Sequence, residues 1–199
     1  MANVIKLRKG LDVNLKGKAA KEEFQVKKPA VYALMPDDFT GMKPKVVVKE
    51  NDVVKVGDSL FVDKNHPEIK FVSPVSGRVT MVERGDRRKV LSVRVEADAE
   101  QQYVDFGKKN VGQMTAQEVK NLLLESGLFG FFRQRPYDVT ANPSDTPKAI
   151  FVSAFNSMPL AADFEYVLRG READFQAGLD ALAKMAKTYL GVSSKQTAT

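Results

Sequence analysis

One stretch of the chain concentrates side chains able to grip a partner or a flat ring: Gly127-Leu128-Phe129-Gly130-Phe131-Phe132-Arg133-Gln134-Arg135-Pro136-Tyr137. Three phenylalanines, one tyrosine and two arginines fall within these eleven residues. Rings with arginines are the composition of interface anchors, because rings bury area at little entropic cost and guanidinium groups add directed hydrogen bonds. Phe129, Phe131, Phe132, Arg133, Arg135 and Tyr137 are therefore the candidate contact residues, for a partner surface or the wall of an aromatic pocket. The competing reading buries the rings against the apolar run at 149–153.

Other chemistry is thinly supplied. His66 is the only imidazole, which argues against a His-rich metal site or a Ser-His-Asp triad. With no cysteine, disulfides, thiolate metal sites and iron–sulfur clusters are excluded within these residues. Asp37-Asp38 follows Pro36 and reads as solvated turn residues rather than an acid–base pair. No G-x-G-x-x-G or Walker-type loop is present to cradle phosphate. Lys64, after Asp63, falls where a carrier module would display a modifiable lysine, but Asn65-His66-Pro67-Glu68 makes the reversal longer than a swinging-arm hairpin wants.

The elements that must position these residues follow from pattern. Val48-Lys49-Glu50-Asn51-Asp52-Val53-Val54-Lys55-Val56 and Val82-Glu83-Arg84-Gly85-Asp86-Arg87-Arg88-Lys89-Val90 read as two copies of one β-ribbon. Each sets an Asn-Asp or Gly-Asp turn between β-branched stretches, the pairing that supplies positive φ at a reversal. Short strands are predicted at Val4–Leu7, Phe24–Val26, Val31–Leu34, Val46–Val48, Ser59–Val62, Ile69–Val72, Arg78–Val82 and Val90–Val95. Together they argue for a small sandwich ending near Glu96.

The polar, Gln-rich stretch 97–114 reads as a connection. Thr115 with Glu118 forms a capping box, and Val119, Leu122, Leu123 and Leu124 give an apolar face, so a helix is expected over 116–126, stopped by Gly127. Lys148–Ser153 suits a buried strand. A longer helix is expected over Ala173–Leu190, with Phe175, Leu179, Leu182, Ala183 and Met185 inward and Gly191 as its cap. Strand then helix opens an α/β unit, yet no return strand is legible, so the sequence reads as stopping inside a domain.

Of 199 residues, 43% are hydrophobic and 28% charged, with no apolar run near the ~18 residues of a membrane span. Residues 1–49 carry eleven Lys or Arg against five Asp or Glu, which accounts for the whole net charge of +6. These lysines are scattered and lack an aromatic stacking platform, so nucleic acid is not the expected partner.

In their order, several motifs resemble the A-subunit family of the bacterial sodium-translocating NADH:quinone oxidoreductase. They are Lys9-Gly10-Leu11-Asp12, Gly41-Met42-Lys43-Pro44, Val56-Gly57-Asp58, Leu60-Phe61-Val62-Asp63-Lys64, Ser76-Gly77-Arg78-Val79, Ser126-Gly127-Leu128-Phe129, Arg133-Gln134-Arg135-Pro136, Ala149-Ile150-Phe151-Val152 and Pro159-Leu160-Ala161-Ala162. The resemblance implies a mixed β and α/β fold: a biotinyl/lipoyl-like barrel-sandwich hybrid over 1–98, a linker over 99–114, and over 115–199 the start of a Rossmann-like α/β domain. That second part is similar to the flavin-binding component of complex I and to the C component of the Rnf complex.

The departures matter. Where that relative has a glycine-rich loop for flavin phosphate, this chain has Phe129, Phe131 and Phe132; where it has an acidic run, this chain has Ala154-Phe155-Asn156-Ser157-Met158-Pro159. A non-flavin peripheral subunit is implied, on the cytoplasmic face of the bacterial inner membrane. The other subunits of the membrane redox complex would be its partners, and NADH, quinone and sodium the substrates of the whole. No cofactor or metal is expected on this segment, and its contact with quinone would fall at the Phe129–Tyr137 cluster. The alternative from another class is a lipoyl- or biotinyl-type carrier module modified at Lys64.

Overall fold

The computed structural model describes residues 4–6, 15–17, 19–194 and 196. In chain order the strands are β1 (Val31–Leu34), β2 (Pro44–Val46), β3 (Val53–Val54), β4 (Ser59–Asp63), β5 (Lys70–Val72), β6 (Gly77–Arg84), β7 (Val90–Ala97), β8 (Arg133–Gln134), β9 (Val139–Thr140), β10 (Ile150–Ser153) and β11 (Thr188–Gly191). The helices are α1 (Ala116–Glu125), α2 (Phe164–Leu168) and α3 (Glu172–Met185).

Two antiparallel sheets, ordered β1-β7-β6-β3 and β2-β4-β5, enclose the main core. Its side chains are Val54, Leu60, Phe61, Ile69, Phe71, Val75, Val79, Val90, Val93 and Val95, joined by Phe129 from far along the chain. Strand β4 runs through the middle of its sheet with Leu60 through Asp63 all buried. Strand β6 instead starts with alternation, Val79 inward and Arg78 and Thr80 outward, as a sheet wet on one face requires. At Gly77 the backbone of β6 lies tight against β7: an added Cβ would lie 1.8 Å from the Glu96 carbonyl oxygen.

The two expected ribbons are not equivalent. The second is a true hairpin, β6 against β7. The first is a crossover: β2 pairs with β4 in one sheet, whereas β3 pairs with β6 in the other. Asn51 does take the predicted positive φ, 75°. At the second turn the positive φ falls on Arg87 and Arg88 rather than on Gly85. Residues 4–6 and 24–26 form no strand and lie exposed, since no neighbouring strand offers them a ladder. The Lys9–Asp12 motif lies outside the described residues.

The stretch after β7 is tied to the sandwich. Val56 donates its N–H to the Gln102 carbonyl and accepts that of Val104, around an isolated parallel bridge to Tyr103. Buried Ser76 binds both Gln101 and Gln102. Helix α1 begins as the sequence predicts. Glu118 donates its N–H to the Thr115 hydroxyl at 3.3 Å, and the Glu118 carboxylate accepts the Thr115 N–H at 2.7 Å. Gly127, with φ 77°, ends the helical run and opens the next turn.

Beyond the sandwich, four expectations are corrected. The longer helix stops at Met185, and Ala186 turns extended at φ −161°. Thr188–Gly191 then forms the return strand that the sequence pattern leaves illegible, parallel to β10 with Phe151 opposite Tyr189. Strand β10 is not buried, because Phe151 is 78% exposed and stacks on Tyr189 at 5.2 Å. Phe175, Leu179, Leu182 and Met185 are half-buried as the inward face of α3, whereas Ala183 is exposed.

Candidate functional site

The aromatic stretch after α1 is sorted by backbone geometry. Residues Leu128–Phe131 form a single 3-10 turn that drives Phe129 into the sandwich core at 4% exposure. Two glycines permit the approach. An ideal Cβ at Gly127 would sit 2.6 Å from Val72 Cγ1, and one at Gly130 would sit 2.8 Å from Phe71 Cε1. Phe132 stacks on Phe129, with centroids 5.4 Å apart. The rings therefore pack on β5 and its neighbours, not on the strand at 149–153.

Phe131 faces the other way and is 68% exposed. It ends a run of touching rings that leads out of the core: Phe61 to Phe71 at 5.1 Å, Phe71 to Phe39 at 4.4 Å, and Phe39 to Phe131 at 5.7 Å. Beside this run lies an apolar cavity of about 50 Å³ lined by Leu34, Phe39, Phe71, Val72, Gly127 and Phe131. A water-sized group fits there, but a small-molecule pocket begins near ~300 Å³.

Arg133, Arg135 and Tyr137 ride on the β8–β9 hairpin. Thr140 clamps it to the sandwich by donating both its N–H, at 2.8 Å, and its hydroxyl, at 3.1 Å, to the Thr40 carbonyl. Gly41, φ 87°, makes room: a Cβ there would lie 2.8 Å from Val139 Cβ. Arg133 is structural, donating to the carbonyls of Asp138 at 3.3 Å and Asp38 at 3.1 Å. Arg135 only brushes Asp138 at 3.7 Å with its side chain 78% exposed, and Tyr137 is 80% exposed. The six candidates divide, then: Phe129, Phe132 and Arg133 build the support, while Phe131, Arg135 and Tyr137 face outward.

Lys64 is exposed and leaves β4 with its N–H on the Lys43 carbonyl at 2.7 Å. Its neighbour Asp63 is buried, accepting the N–H groups of Lys43 and Asn65 at 3.2 and 3.0 Å. His66 lies 3.8 Å from Glu68, and no group of three metal-ligating side chains occurs among the described residues.

Sequence reasoning missed a second, larger cleft. It has a volume of about 370 Å³ and opens beyond the carboxyl ends of β10 and β11, lined by Lys21, Asn156, Asp163, Glu165, Ser193 and Gln196 among others. Carboxylates thus reach this end of the unit from α2, although 154–159 has none. Asp163 caps α2 by accepting the Tyr166 N–H, and Lys21 approaches it at 2.7 Å. The Lys21 hydrogen bond, then the backbone N–H of Tyr166, holds the Asp163 carboxyl below the usual aspartate range. An Asp directly before Phe164-x-x-Val167-Leu168 was the available signal for that cap.

A two-sheet β sandwich joined to an α/β unit, with a protruding arginine–aromatic hairpin, defines the class of protein. Residues 5–98 match the NqrA N-terminal barrel-sandwich hybrid domain, and residues 114–199 match the NqrA second alpha/beta domain. The chain is 34% identical over 190 residues to the Na(+)-translocating NADH-quinone reductase A-subunit of Pseudomonas aeruginosa (strain UCBPP-PA14), covering 94% of this chain and 42% of that protein. The same subunit of Serratia proteamaculans (strain 568) is 37% identical over 186 residues, covering 92% and 41%. That of Yersinia pseudotuberculosis serotype O:1b (strain IP 31758) is 36% identical over 186 residues, covering 92% and 41%. The chain belongs to the NqrA family and spans about two fifths of the length of these relatives.

Proposed function

We propose that this chain is part of a peripheral subunit, on the cytoplasmic face of the bacterial inner membrane, of a sodium-translocating NADH:quinone reductase. There it docks and supports the electron-carrying subunits without itself holding flavin or an iron–sulfur cluster. The assembled complex passes electrons from NADH to quinone and exports sodium; the isolated chain catalyses neither step. One observation carries this reading: between Gly127 and Tyr137 the glycines turn inward against β5, while Phe131, Arg135 and Tyr137 turn outward.

In a flavin-binding loop, glycines let backbone N–H groups approach a phosphate. Here the close approach at Gly127 and Gly130 is to Val72 and Phe71, so that backbone does not fit a cofactor phosphate. The outward trio has the ring-plus-guanidinium make-up of interface hot spots. A partner protein of the complex suits this open surface better than an enclosed quinone does, because the adjacent cavity of about 50 Å³ is too small for a ring.

Co-purification of the full-length protein with its membrane partners, with cross-linkers placed at 133 and 135, tests the reading. Position 135 should cross-link to a neighbouring protein of the complex, and combining Arg135→Glu with Tyr137→Ala should weaken association by about tenfold or more. Absence of any membrane association overturns it. Stoichiometric, tightly bound flavin overturns the non-flavin part. For quinone, a titration read by Tyr fluorescence that Phe131→Ala and Phe132→Ala leave unchanged removes this surface as the contact. The carrier alternative at Lys64 requires a mass increase on the intact protein from a ligase-bearing host.

A further inference from the structure

The tip of the β6–β7 hairpin is built from residues that its backbone disfavours. Lys89 donates its N–H to the Asp86 carbonyl at 3.1 Å, and Gly85 donates to the Lys89 carbonyl at 2.8 Å. These bonds close a turn whose two central residues, Arg87 and Arg88, have φ of 54° and 63°. Consecutive positive φ is the arrangement of a type I′ hairpin turn, which Asn-Gly fills most easily because a bulky side chain crowds the left-handed region. Elsewhere, at the single left-handed position of the 48–56 turn, the protein uses an asparagine, Asn51. Here it uses two arginines in succession.

Neither guanidinium has a hydrogen-bond or ion-pair partner among the described residues. The cations beside them are engaged: Lys89 Nζ lies 2.6 Å from Asp37, and Arg84 donates to the Arg88 carbonyl at 3.3 Å. Leu91, exposed, covers Gly85, where a Cβ would lie 3.1 Å from Leu91 Cδ1. The turn thus presents two free guanidinium groups, with Leu91, 37% exposed, at the start of the following strand.

We propose that this tip binds an anionic phospholipid surface, with Arg87 and Arg88 on headgroup phosphates and Leu91 at the headgroup–acyl boundary. Guanidinium forks match phosphate oxygens in pairs. An anionic leaflet attracts each exposed basic group, and apolar side chains beside basic ones are what interfacial segments embed. An acidic protein surface would use the arginines but leave the exposed part of Leu91 in water. The inference deepens the membrane-face reading above and rests on it.

Flotation of the full chain with phosphatidylglycerol–phosphatidylethanolamine vesicles at low salt tests it, with phosphatidylcholine vesicles as the comparison. The chain should float with the former alone and be released by added salt. The paired variant Arg87→Asn, Arg88→Gly should bind about thirtyfold more weakly, from the loss of two basic groups. The same variant should melt about 4 °C or more higher, because the left-handed positions are relieved. Arg87→Lys with Arg88→Lys keeps charge and crowding, so binding should persist and melting should not rise.

Failure of the parent to float, equal flotation with phosphatidylcholine, or full binding by the Asn-Gly variant overturns the proposal. So does release by inorganic phosphate that sodium chloride of equal ionic strength does not match, which marks a free-anion site. A chain that holds its partner subunits yet ignores anionic vesicles overturns this inference while leaving the docking reading intact.

Discussion

Phe129 and Phe131 are separated by a single glycine and live in opposite environments, one 4% and the other 68% exposed. Phe129→Ala should cost about 3–5 kcal/mol, the range for emptying a buried ring site, whereas Phe131→Ala should stay within about 0.5 kcal/mol. Urea unfolding followed by circular dichroism distinguishes them. At Gly127 a methyl group meets both a left-handed φ and the Val72 side chain, so Gly127→Ala should cost at least about 2 kcal/mol. Composition marked this cluster as unusual. It could not say which ring turns inward, because the turn at Leu128–Phe131 is too short to show a period and its partner is Phe71, far back in the sequence.

Among the elements, α1 was legible because its start is written in two local residues. Thr115→Ala should destabilise by about 1 kcal/mol. The Thr115 N–H, then its hydroxyl, holds the Glu118 carboxyl below the usual glutamate range. With the folded value below the unfolded one, the stabilisation from Glu118 is present above the ordinary glutamate range and fades as pH falls through the folded value. Melting temperature should therefore drop less with acidification in Glu118→Gln than in the parent, as scanning calorimetry from neutral to acid pH would register. The end of α3 was illegible for the opposite reason. Residues 183–190 suit a continuing helix, and only pairing with β10 converts Thr188–Gly191 into a strand. The apparent ribbon at 48–56 fails likewise: its turn is locally right, but its flanks pair with β4 and β6 rather than with each other.

For the molecule as a whole, the sandwich and the α/β unit share material. Phe129 sits in the sandwich core, Leu123 and Leu124 of α1 pack on that core, and α1 also packs against α3. A fragment of residues 1–113 should accordingly melt well below the intact chain, with its core short of one ring, and differential scanning calorimetry would detect the shift. Equal melting temperatures would show that the sandwich closes without Phe129.

That shared ring also bears on recombination. A chimera that grafts this sandwich onto the α/β half of another family member would separate Phe129 from the sandwich core it joins if spliced in the polar stretch before Thr115. A crossover placed after Phe132 carries the plug with its socket, so viable hybrids should cluster at that later junction.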